Sequence, residues 1–128
     1  MLSSSRLVGF VATAKPDQAK RFYADALGLA LLDDGPYALV FSAGGGANTI
    51  RVQKVPRVTP AGYTSLGWVV EHIERTIADL ASRGVKFERF EGMTQSASGV
   101  WRTPDGSAVA WFKDPDGNIL SLTEHAAR

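Results

Sequence analysis

Two histidines, His72 and His125, and no cysteine supply all the imidazole and thiol chemistry of this chain. Without thiols there is no disulfide, no thiolate nucleophile, no iron–sulfur cluster and no thiolate-held zinc. A metal centre would have to use imidazole and carboxylate. His72 follows Glu71 at the start of a helix and His125 follows Glu124 in the tail, both places where solvated side chains are common, although a terminal His can be recruited at a dimer interface. The acid–base candidates Tyr37, Glu91, Asp33 and Asp34 share no recognisable constellation. Three tryptophans, Trp68, Trp101 and Trp111, each offer a flat face for stacking and one N–H donor. Core packing is the competing use for Trp111. Trp101 lies in a polar segment beside Arg102 and reads as an aromatic lid. Arg51 has two readings: a solvated strand residue or, pointing inward, a forked donor that clamps a carboxylate or phosphate.

The rest of the composition narrows the partners. A net charge of +1 provides no long-range field to attract nucleic acid or an anionic membrane. With 45% hydrophobic and 21% charged residues the chain is ordinary globular material, expected to fold as one domain over 1–128 that is divided into half-sized modules. The polar start, residues 1–6, lacks the apolar stretch of a secretory signal, and no later run approaches membrane-spanning length, so a cytoplasmic protein is expected.

The elements that position these residues occur twice. Residues 7–14 form an apolar run with Val8, Phe10 and Ala12 on one side and Leu7, Gly9 and Val11 on the other, which predicts a strand buried on both faces. Pro16 opens a helix whose stripe is Ala19, Phe22, Tyr23, Ala26 and Leu27, ended by Gly28. Leu66 to Val70 predicts a second such strand. Ile73, Ile77, Leu80 and Ala81 form the second stripe, ended by Gly84. Strands are predicted over 29–32, 37–42 and 49–55 in the first half, and over 85–90, 107–113 and 118–123 in the second. Pro104-Asp105-Gly106 and Pro115-Asp116-Gly117 carry the chemistry of chain reversal, which predicts a structural role for Asp114 and Asp116. Residues 56–62 read as a linker between modules, and 93–99 as a mobile segment bordering a pocket. An internal duplication accounts for the pattern, with modules at 7–55 and 63–125.

Two segments carry a family resemblance. Arg21-Phe22-Tyr23-Ala24-Asp25-Ala26-Leu27-Gly28-Leu29 is similar to the helix-ending signature of the vicinal oxygen chelate superfamily, which includes glyoxalases, bleomycin-resistance proteins and extradiol dioxygenases. Phe112-Lys113-Asp114-Pro115-Asp116-Gly117-Asn118, followed by Ile119 to Leu122, resembles the last hairpin of that superfamily. The resemblance covers residues 7–124 and implies an α+β fold of two βαβββ modules, forming a curved mixed sheet with a concave pocket.

Metal-dependent members place His and Glu ligands on four inner strand positions. Matched by counting from the motifs, those positions here are Val8, Arg51, Ser65 and Ser121. An alkyl group, two hydroxyls and a guanidinium do not coordinate a divalent ion, so no cofactor is expected and no catalytic residue is assigned. The expected cup is lined by Val8, Phe10, Tyr37, Arg51, Ser65, Gly67, Trp101, Trp111 and Ser121. It would bind a small aromatic or hydrophobic molecule, anionic if Arg51 points inward, in the manner of drug-sequestering bleomycin-resistance proteins. A homodimer is expected. The alternative is a lyase, isomerase or oxygenase that uses a divalent metal at displaced positions or metal-free acid–base chemistry.

Overall fold

The computed structural model describes residues 1–127. They divide into two compact units: Met1–Pro60 with Asp114–Asn118, and Ala61–Lys113 with the chain from Ile119 on.

In the first unit, β1 (Val8–Thr13), β2 (Ala30–Asp34), β3 (Ala38–Ala43) and β4 (Asn48–Lys54) form a sheet in the order β1-β4-β3-β2. β1 runs parallel to β4, and the other pairs are antiparallel. The two-residue period of the strands sorts side chains onto two faces. Val11, Leu39, Phe41, Ile50 and Val52 are buried on one face, where the Tyr23 ring meets Phe41 at 5.6 Å. On the other face Val8 and Phe10 are 40% and 51% exposed, so β1 is buried on one side only and not on both as its composition predicts.

The first helix also departs from expectation. α1 (Pro16–Arg21) gives way to a wider turn over Phe22–Ala26, in which the Leu27 N–H bonds the Phe22 carbonyl at 3.0 Å, five residues back. Gly28, at φ 74°, stops the helix, and the Leu29 N–H returns to the Tyr23 carbonyl.

The second unit repeats the topology. β5 (Thr64–Val69), β6 (Trp101–Arg102), β7 (Ala108–Lys113) and β8 (Ile119–Glu124) lie in the order β5-β8-β7-β6, with β5 parallel to β8. α2 (Ile73–Ser82) buries Ile73, Ile77 and Leu80. His72, just before it, makes no side-chain cap; a Glu124 carboxylate oxygen accepts the Ile73 N–H at 2.8 Å instead. This places negative charge at the positive end of the helix dipole. Each unit is therefore βαβββ, and the chain is α+β.

One predicted strand is missing. Residues 85–90 contribute a single bridge, Phe87 to Phe112, and the edge of the sheet is Trp101–Arg102 paired with Val109 and Ala108. The cause is Gln95. Its side-chain amide bonds the Phe90 N–H at 2.8 Å and the carbonyls of Glu88 and Gly99 at 3.1 and 2.8 Å, taking up backbone groups that a strand would pair. The Arg89 guanidinium donates to the carbonyls of Ser96 and Gln95. The segment expected to be mobile, 93–99, is thus tied down. It does border a pocket: a cavity of about 320 Å³ is lined by Thr94, Gln95, Ser96, Trp101, Arg102 and Glu74, among others.

Candidate functional site

The turn between β7 and β8 groups with the first unit, and there it brings both motif segments together. The Tyr23 hydroxyl donates to Asp114 Oδ2 at 2.6 Å, and the Asn118 amide donates to the same oxygen at 2.8 Å. Asp114 Oδ1 accepts the backbone N–H groups of Asp116 and Asn118. Asn118 also donates to the Ala12 carbonyl, while Asp116 accepts from the Thr13 hydroxyl and the Ala14 N–H. Burial first, and then the Asp114 carboxylate, push the Tyr23 hydroxyl far above its ordinary range. Tyr23, Thr13, Asp114 and Asn118 are buried and Asp116 half-buried, and the polar groups of the cluster are engaged with one another. The turn residues act as structure, as their Pro-Asp-Gly chemistry predicts.

The sheet faces turned away from the helices are different. Cross-strand partners share a face. In the first unit Phe10 pairs with Arg51, Arg51 with Val40, and Val40 with Asp33, so these four form one row across the sheet, with Val8 one step along β1. The register places Arg51 on the face of Phe10. Arg51 is half-buried, and its side chain has no hydrogen bond or ion pair among the described residues.

In the second unit Gly67 pairs with Ser121 and Ser121 with Trp111, while Trp101 pairs with Val109 on the neighbouring row. The Trp101 and Trp111 rings lie 6.3 Å apart at 34°, and Phe90 meets Trp111 edge-on at 5.5 Å. Both indoles are half-exposed. Trp101 is a strand residue beside Trp111, a wall of the face and not the lid expected of it. Gly67 is an absence that makes room: a Cβ there would stand 2.6 Å from Ser121 Oγ. The Ser121 hydroxyl occupies that space without a hydrogen-bond partner among the described residues.

Two of the expected wall residues, Ser65 and Tyr37, lie off these rows. A bulge at residues 64–66 of β5 puts Thr64 opposite Ile119, in step with Ser121, and the Trp111 indole N–H donates to its hydroxyl at 3.1 Å. Ser65, counted into the wall, sits exposed at that bulge. Tyr37 lies just before β3, 80% exposed and outside both rows. Thr64 and Phe90 were not anticipated. Trp68 packs on the helix side against Phe112.

A divalent cation does not fit these faces. Among the described residues no three His, Cys, Asp or Glu side chains converge, and Val8, Arg51, Ser65 and Ser121 present no anionic donor. His72 and His125 are exposed. Of the acid–base candidates, Glu91 is exposed and Asp34 is spent on Lys54 and Lys20 at 2.7 and 3.2 Å, hydrogen bonds that hold its carboxyl below the usual range.

The family model of the Glyoxalase/Bleomycin resistance protein/Dioxygenase superfamily matches residues 7–122. The chain belongs to that superfamily. Solved structures of the same fold include a superfamily member from Sphaerobacter thermophilus, 22% identical, with a TM-score of 0.73 and 98% of this chain and 100% of that one covered. A lactoylglutathione lyase from Agrobacterium tumefaciens is 18% identical, with a TM-score of 0.72 over 94% and 93% of the two chains. An antibiotic-binding protein from a Streptomyces species is 24% identical, with a TM-score of 0.71 over 98% and 99%. Among curated proteins none matches. No helix of the described residues is long and apolar enough to cross a membrane.

Proposed function

We propose that this superfamily member binds a small aromatic or hydrophobic organic molecule without a metal ion, and that it sequesters this molecule instead of transforming it. The observation that carries the reading is the pair of half-exposed indoles, Trp101 and Trp111, on a sheet face that also carries the Ser121 hydroxyl, which has no partner among the described residues. Stacking surface with a few orienting polar groups is the composition of a small-molecule site. No general base stands beside Ser121 to make it a nucleophile. The Streptomyces structure, an antibiotic-binding protein, uses the same fold. A cytoplasmic homodimer completes the proposal.

Tryptophan fluorescence tests it. A panel of aromatic compounds, titrated into chelator-treated protein, should include members that quench saturably, and Trp111→Ala should weaken them about tenfold, the loss of one stacking partner. Reloading with zinc, nickel, manganese or iron should change nothing. Quenching that arises only after about one equivalent of metal is bound would replace the reading with a metal-dependent enzyme.

A further inference from the structure

We infer that Arg51 is the anion-binding group of the first sheet's open face and that this face takes an aromatic carboxylate; the inference rests on the reading above that the chain binds small aromatic molecules. Arg51 is singular among the cations. Lys20 and Lys54 share Asp34, Arg83 pairs with Asp79, and Lys113 pairs with Glu88. Arg89 and Lys15 donate to backbone carbonyls. The remaining unpaired Lys and Arg of the described residues are exposed, where water serves them. Arg51 alone among these is withdrawn from the exposed surface and still lacks a partner.

Its surroundings specify the rest. A guanidinium flanked by apolar side chains loses hydration and regains it only from an acceptor, and its planar fork matches a carboxylate. On one side of Arg51 in the row stands Phe10, 51% exposed, with Val8 one step along the same strand at 40%. An aromatic ring laid over Phe10 and Val8 puts its carboxylate at Arg51. On the other side come Val40 and then Asp33, two strands from Arg51 and therefore roughly 9–10 Å away. Asp33 is exposed and too far away to neutralise Arg51 by contact. A carboxylate and an apolar end therefore describe the guest.

Calorimetric titration of the full chain with 2-naphthoate and with its neutral counterpart 2-naphthamide tests the inference. Naphthoate should bind at least about tenfold more tightly, and its affinity should fall with added sodium chloride while that of naphthamide stays level. Arg51→Gln should remove the naphthoate advantage and leave naphthamide within about twofold; Arg51→Lys, which keeps the charge without the fork, should restore part of it. A thermal melt checks that both variants fold, and the salt dependence of the unmodified chain stands in their place if they do not. Equal binding of the two probes, or a naphthoate advantage that survives Arg51→Gln, overturns the inference while leaving the binding role intact. Failure of both probes together with a silent fluorescence panel overturns both.

Discussion

The turn at residues 114–118 and the two open sheet faces are built from similar polar residues, yet they treat them in opposite ways. In the turn Asp114 accepts four hydrogen bonds, from Tyr23, Asn118 twice and Asp116, and little polar capacity remains. On the faces the Arg51 guanidinium and the Ser121 hydroxyl are left open beside aromatic rings. A buried polar group that is fully satisfied rigidifies a fold. One left open costs stability unless solvent or a guest completes it. Conspicuous motif residues therefore hold the molecule together here, and inconspicuous ones keep open polar groups on the sheet faces.

The sharpest way to break that contrast is Asp114→Ala. It strips partners from the Tyr23 hydroxyl, the Asn118 amide and two backbone N–H groups at once, and should lower the unfolding free energy by about 3–5 kcal/mol in a denaturant titration. A loss below about 1 kcal/mol would mean that the cluster is not structural.

Tyr23→Phe removes one charge-assisted bond and should cost about 1.5–3 kcal/mol. It should also alter the alkaline limb. The folded-state pKa of Tyr23 is raised above that of the unfolded chain, so its contribution is fully present below about pH 10 and is lost as the pH rises further and the unfolded tyrosine ionises. Unfolding free energies from denaturant titrations at pH 8 to 11 should fall less steeply above pH 10 in the Phe variant, by up to about 1.4 kcal/mol per pH unit.

The smallest stability effects belong to the faces. Ser121→Ala should change stability by less than about 1 kcal/mol, since its hydroxyl has no partner to lose. Gly67→Ala forces that hydroxyl to turn away, at about 0.5–1.5 kcal/mol. Both should nevertheless weaken the quenching ligands of the fluorescence panel. Thermal melts and titrations on the same samples separate the two effects, and unchanged affinity in both variants would remove Ser121 from the site.

Local spacing made much of this legible. The two helix stripes with their stops at Gly28 and Gly84, the duplicated order of elements and the turns at Gly106 and Gly117 all follow from interactions between near neighbours in the chain, and the family signatures lay in the same short segments. The errors arose where a side-chain bond or a bulge displaced regular backbone pairing. Residues 85–90 have the composition of a strand, but Gln95 takes their backbone groups. Parity assigned Ser65 to the wall, but one bulge handed the place to Thr64.

Periodicity and glycine placement thus settle which elements exist, because helix and strand geometry are decided within a few residues. The joining of Tyr23 to Asp114, the capping of α2 by Glu124 and the face on which Arg51 lies depend on register and on partners far away in the chain. A shift of one residue in strand pairing moves a side chain to the opposite face, and no short-range signal in the amino-acid order carries that choice.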